Sequence, residues 1–92
     1  MIHNSSVVDK KAKIGKGTII GPFCYIGPKV QISDGVELIS SVHIEGNTKI
    51  GNGVKIGGAS GVTTDLADNS KVMGYPAMSM RKFAKLRNSI EE

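Results

Sequence analysis

Branched aliphatic residues recur along this chain at every sixth position. From position 2 the series runs Ile2, Val8, Ile14, Ile20, Ile26, Ile32, Leu38, Ile44, Ile50, Ile56 and Val62. Two residues before each, from position 6, stands a small side chain: Ser6, Ala12, Thr18, Cys24, Val30, Val36, Val42, Thr48, Val54 and Ser60. Glycine follows the aliphatic at 15, 21, 27, 51 and 57 and recurs two positions later at 17, 35 and 53. A helix cannot carry this pattern, because its 3.6-residue turn spreads a period of six around the surface. Short strands can. In an extended segment residues two apart face the same way, so the small and the aliphatic residue both point inward. Glycine or asparagine just beyond them is expected to supply the positive-φ conformation of a corner. Three flat sides close a triangular coil, and such coils stack about 4.8 Å apart through backbone hydrogen bonds. The small inward position follows from the narrow bore, which two large side chains per wall would overfill.

The pattern predicts an all-β fold, a parallel β-helix of three to four coils over residues 1–66. At position 68 the repeat expects an aliphatic residue and meets Asp68, so the solenoid is expected to stop there. Residues 67–77 read as an ordered loop with the turn Gly74-Tyr75-Pro76-Ala77. Residues 78–92 read as an amphipathic helix: Ser79 is a plausible N-cap, and Met80, Phe83, Ala84, Leu86 and Ile90 fall at helical spacing. Arg81, Lys82, Lys85 and Arg87 lie between them. Such a helix serves either as a cover for the open end of the solenoid or as a basic docking surface for an acidic partner or for phosphates.

Composition narrows the field. The chain of 92 residues allows one small domain. Twelve glycines, no tryptophan, two tyrosines and two phenylalanines argue against a bulky globular core and against base-stacking surfaces, so no nucleic-acid partner is expected. The net charge of +4 decides nothing alone. The single cysteine, Cys24, sits in a small inward slot and reads as packing rather than as a reactive thiol. The start of the chain shows no charged segment followed by an apolar one, and the longest apolar run, Phe23-Cys24-Tyr25-Ile26, is too short to cross a bilayer. A cytoplasmic protein without membrane insertion is expected. A prism of so few coils has a small core for the backbone it orders, so oligomerisation is expected to supply the missing burial.

The repeat resembles the hexapeptide-repeat acyltransferases, and this resemblance implies a left-handed parallel β-helix, an exception to the usual crossover hand. The stretch VVDKKAKIGKGTIIGPFCYIGPKVQISDGVELISSVHIEGNTKIG resembles the opening of the UDP-N-acetylglucosamine O-acyltransferases of lipid A synthesis. The stretch GGASGVTTDLADNSKVMGYPAMSM is similar to the end of the β-helix in the UDP-3-O-acylglucosamine N-acyltransferases. The resemblance implies a homotrimer, an acyl carrier protein thioester as donor, and a UDP-amino sugar as acceptor. It implies donor contacts at Gly58, Ala59, Gly61, Tyr75 and Arg81. Coenzyme A fits less well as donor, because relatives that use it carry a lysine soon after the GxPA turn, where Met78 stands here. No further cofactor and no metal are implied. The glycine-rich segment 57–61 opens no helix, and two histidines with one cysteine make no zinc site within one chain.

The resemblance also implies a histidine as general base, two residues after an inward aliphatic. That phase holds Asn4, Lys10, Lys16, Pro22, Pro28, Asp34, Ser40, Gly46, Asn52, Gly58 and Thr64, and no histidine. His43 immediately precedes Ile44 and is expected to face away from its own prism. It stays a candidate only through a groove between subunits, where an imidazole could still act. The family's catalytic coils lie between the two stretches matched here, so the chain reads as an acyltransferase relative with its middle coils missing. A natural short form, a gene remnant and an engineered deletion all fit, and so does a non-catalytic trimeric scaffold.

Overall fold

The computed structural model describes residues 1–91, with side chains as far as Arg87. The side chain of Ile90, expected on the apolar stripe of the helix, and Glu92, the expected end of that helix, lie outside the described residues. The chain forms β1 (Val7–Val8), β2 (Lys13–Ile14), β3 (Ile19–Ile20), β4 (Tyr25–Ile26), β5 (Gln31–Ile32) and β6 (Glu37–Leu38). It continues with β7 (His43–Ile44), β8 (Lys49–Ile50), β9 (Lys55–Ile56), β10 (Gly61–Val62), β11 (Lys71–Met73), β12 (Met78–Ser79) and α1 (Met80–Glu91). From β1 to β9 each strand is two residues long, one facing out and one the inward aliphatic of the repeat.

The strands assemble into three walls, ordered β1-β4-β7-β10, β2-β5-β8 and β12-β11-β9-β6-β3. Parallel pairing joins residues 18 apart, as in Tyr25↔His43, Gln31↔Lys49 and Glu37↔Lys55. Backbone bonds carry the register: the Tyr25 amide donates to the Val42 carbonyl at 2.9 Å and the Gly27 amide to the Ile44 carbonyl at 2.9 Å. The result is a parallel β-solenoid of about four turns.

The bore is closed by the predicted residues. Ile20, Ile26, Ile32, Leu38, Ile44, Ile50, Ile56 and Val62 are buried, as are the small partners from Thr18 to Ser60. Val30 and Ile32 keep 1% and 3% of their surface in water. The three hydroxyls in the bore are satisfied locally: Thr18 Oγ1 donates to the Ser33 carbonyl at 2.8 Å, Thr48 Oγ1 to Glu45 at 2.7 Å and Ser60 Oγ to Gly57 at 2.5 Å. At the first coil the expectation of full burial fails. Ile2 is 45% exposed and Val8 and Ile14 are half-buried, because among the described residues a coil covers them on one side alone.

The glycines divide into two roles. Positive φ falls three residues after the aliphatic, at Gly17, Gly35 and Gly53, and the Gly35 and Gly53 amides bond the Lys16 and Asp34 carbonyls of the coil before. Directly after the aliphatic, Gly15 and Gly21 lack positive φ and are instead required by space. A Cβ there would collide with the backbone carbonyls of Ser33 and Ile39 in the next coil. The next corner takes positive φ at Phe23, Ser41 and Ala59 without any glycine.

The stack also runs beyond position 68. Leu66 bridges Ile50 and Val72 pairs with Ile56, both at a spacing of 16 rather than 18. The segment between Val62 and Leu66 is two residues shorter than the repeat, which moves Leu66 and Val72 into the inward phase and leaves Asp68 at a corner. There Asp68 Oδ1 accepts the Asn52 amide at 2.8 Å. The expected loop 67–77 therefore contains a strand, β11, in the stack, and β12 turns back antiparallel against it. The N-cap of α1 forms as expected, with the Lys82 amide donating to Ser79 Oγ at 3.1 Å. No helix among the described residues is long and apolar enough to cross a membrane.

Truncation should report this layering. Ile44→Ala, at a site with no exposure, is expected to cost about 2–5 kcal/mol, and Ile2→Ala about 1 kcal/mol or less. Urea midpoints at equal protein concentration check the difference, and equal losses would contradict it.

Candidate functional site

The outward residues of one wall form a row, Val7-Tyr25-His43-Gly61, set by the 18-residue register. Gly61 gives this row its shape. A side chain at Gly61 would occupy the place of the Tyr75 ring, whose Cδ2 and Cε2 lie against the glycine. The loop carrying Tyr75 is pinned there by the coil backbone: the Gly61 amide donates to the Gly74 carbonyl at 2.9 Å, and the Ala77 amide to the Gly61 carbonyl at 2.6 Å. Ser60 Oγ also accepts the Gly74 amide at 3.2 Å. The Tyr75–Pro76 peptide is cis.

Below Gly61, His43 meets the Tyr25 ring edge-on, with centroids 4.9 Å apart at 72°. His43 and Glu45 flank the inward Ile44 and therefore face outward together. His43 Nε2 lies 3.2 Å from Glu45 Oε1, with the two side chains 49% and 68% exposed. Between them and Tyr75 opens a cavity of about 340 Å³, lined by His43, Glu45, Thr63 and Tyr75 over Gly46, Gly61 and Val62. An imidazole backed by a carboxylate can orient a ligand hydroxyl or amine and move a proton, and Tyr75 adds an aromatic wall.

The residues named from the sequence do not all gather here. Gly61 and Tyr75 meet, and His43, which faces away from its own prism as its phase requires, lines the same cavity. Gly58 and Ala59 are exposed at the corner preceding β10, where the Ala59 amide donates to the Ser40 carbonyl at 2.9 Å, and neither lines the cavity. Arg81 stands exposed in the first turn of α1 and does not line it either. Cys24 is buried at 2% exposure. Glu45, Thr63 and Tyr25 are additions from the structure. Alternation about Ile44 could have found Glu45, and the 18-residue register could have found Tyr25.

No family model and no curated protein sequence matches the chain. Among solved structures, Arabidopsis UDP-N-acetylglucosamine acyltransferase is similar at 32% identity over 78% of this chain, with a TM-score of 0.65. The chain resembles the hexapeptide-repeat acyltransferases and carries their solenoid fold. It spans 27% of the length of the Arabidopsis enzyme. Two further acetyltransferase structures share the fold. A Vibrio cholerae acetyltransferase complexed with acetyl coenzyme A is 22% identical, with a TM-score of 0.58 over 88% of this chain and 69% of its own. A variant GDP-perosamine N-acetyltransferase from Caulobacter crescentus, complexed with coenzyme A and GDP-perosamine, is 20% identical, with a TM-score of 0.50 over 85% of this chain and 54% of its own. The fold is the left-handed parallel β-helix of these neighbours, closed by a short C-terminal helix.

The Gly61–Tyr75 contact is open to test in this chain. Gly61→Ala should displace the Tyr75 ring, shifting its aromatic proton resonances while the far-ultraviolet circular dichroism stays unchanged. Unmoved Tyr75 resonances would contradict the contact.

Proposed function

We propose that the protein works in acyl transfer from an acyl carrier protein thioester to a UDP-amino sugar, in the chemistry of lipid A synthesis, as a cytoplasmic homotrimer. The observation that carries this reading is the 32% likeness to UDP-N-acetylglucosamine acyltransferase over 78% of the chain. In such a transfer an acceptor hydroxyl or amine attacks the thioester carbonyl carbon and gives up its proton to a base. The carbon–sulfur bond then breaks and the thiolate leaves, taking a proton. The cavity supports the acceptor half: His43 is its one imidazole, and Glu45 at 3.2 Å is placed to hold the ring. For the donor half the residues proposed are Gly58, Ala59, Gly61, Tyr75 and Arg81, with Arg81, Lys82 and Lys85 of α1 offering positive charge to an acidic carrier. The exposed Ile19, Phe23 and Ile39 near one corner of the prism favour assembly, since a neighbouring subunit would cover them.

One observation favours a second reading, a non-catalytic trimeric scaffold. Gly46 stands two residues after the inward Ile44, in the phase where the family resemblance places the general base. The two readings part in one assay, with acyl carrier protein thioester and UDP-N-acetylglucosamine at substrate-level protein. Transfer is expected, and His43→Ala is expected to lower it about 10²–10⁴-fold. Absence of any product would overturn the transfer reading and leave the scaffold.

A further inference from the structure

We infer that the lysines of the first coil, gathered on and beside the β2-β5-β8 wall, dock the protein on an anionic lipid surface, held by charge and without insertion. The inference goes beyond the transfer reading and does not depend on it.

The chain's charge is unevenly placed. Residues 1–24 hold four lysines and one acidic residue, a net of +3, while the rest of the chain holds eight basic and seven acidic side chains, a net of +1. The repeat puts the four lysines on one side. Lys10 and Lys11 stand on the corner between β1 and β2, Lys13 points outward from β2, and Lys16 stands on the corner between β2 and β3. Lys29 occupies the corner of the next coil, 18 residues after Lys11 and so about 4.8 Å from it along the stack. All five side chains are exposed, and among the described residues none of them forms an ion pair. The carboxylates at these corners are engaged by the backbone: Asp9 Oδ1 accepts the Lys11 amide at 2.9 Å, and Asp34 Oδ1 the Lys16 amide at 2.8 Å. Ammonium groups stacked in this way repel one another and gain from a surface that presents many anions at once.

The residue types select the kind of anion. Both arginines, Arg81 and Arg87, lie in α1, so this wall has no planar fork for a fixed carboxylate or phosphate. Gln31 and Lys49 continue its outward row, with Asn47 and Asn52 at its corners, and none offers a ring on which a base could stack. Flat strands bearing point charges on flexible stems suit a fluid array of head groups instead. The wall is also free in the assembly proposed above. In a triangular coil it lies opposite the corner bearing Phe23, where Ile19 and Ile39 leave apolar surface for a neighbouring subunit. The face changes sign along the stack, ending at Asp65 and Asp68, whose carboxylates accept the Lys49 and Asn52 amides at 2.8 Å. The first coil therefore turns toward the lipid, and the cavity lined by His43 and Tyr75 turns away from it.

The test is co-sedimentation of the full chain with phosphatidylcholine vesicles, with and without about 30% phosphatidylglycerol, at ~50 mM and ~500 mM salt. The partition coefficient should be about 10²-fold higher on the anionic vesicles at low salt, and the difference should vanish at high salt. Combining Lys11→Gln, Lys13→Gln and Lys29→Gln should lower anionic binding at least about 10-fold. Combining Lys55→Gln, Lys71→Gln and Lys85→Gln removes the same charge elsewhere and should lower it less than about 3-fold. All of these side chains are exposed, so both variants are expected to fold, and far-ultraviolet circular dichroism verifies it. Equal binding to the two kinds of vesicle or equal loss in the two variants overturns the inference. So does release from the vesicles by soluble polyglutamate at matched charge, which would make an acidic protein the partner.

Discussion

Everything in this structure depends on the stacking of each wall segment on the segment 18 residues earlier. Backbone bonds such as Tyr25 to Val42 fix the register, and each inward aliphatic then covers its counterpart in the neighbouring coil. Neither element suffices alone. A two-residue strand has too few hydrogen bonds to persist, and a single aliphatic per wall has nothing to bury against. Repetition makes both cooperative, as in other one-dimensional repeat folds. The first coil shows the consequence of a missing neighbour: Ile2 is 45% exposed while Ile44, with coils on both sides, is fully buried.

The same register builds the candidate site. It stacks Tyr25, His43 and Gly61 in one outward row, and the absent side chain at Gly61 admits Tyr75 from the segment after the last full coil. The cavity thus arises where the regular solenoid meets its irregular end. That position explains its mixture of a rigid wall bearing His43 and Glu45 and a loop-borne ring. The cavity joins Gly61 and Tyr75, which the resemblance names, to Glu45 and Thr63, which it does not.

The bore was legible in the sequence because period six maps directly onto inward positions: from Ile20 to Val62 every aliphatic in phase is buried. The end of the stack was not. Asp68 breaks a fixed count, but the chain itself counts from the last hydrogen-bonded wall, and two residues fewer after Val62 put Leu66 and Val72 in phase. Glycine was only half legible, since composition does not distinguish the positive φ of Gly17 from the steric need at Gly21. Of the site, Gly61 and Tyr75 were named separately through resemblance, but their contact falls outside the repeat register and no periodic argument reaches it. Gly58, Ala59 and Arg81 were named with them and lie outside the cavity.

The most direct test is the pattern of nuclear Overhauser contacts between side-chain methyl groups in solution. Stacked coils predict contacts between Ile26 and Ile44, Ile32 and Ile50, and Leu38 and Ile56, together with the shortened step from Ile50 to Leu66. Contacts confined to neighbours three and four residues apart between positions 20 and 62, with none between successive coils, would contradict the account at its foundation.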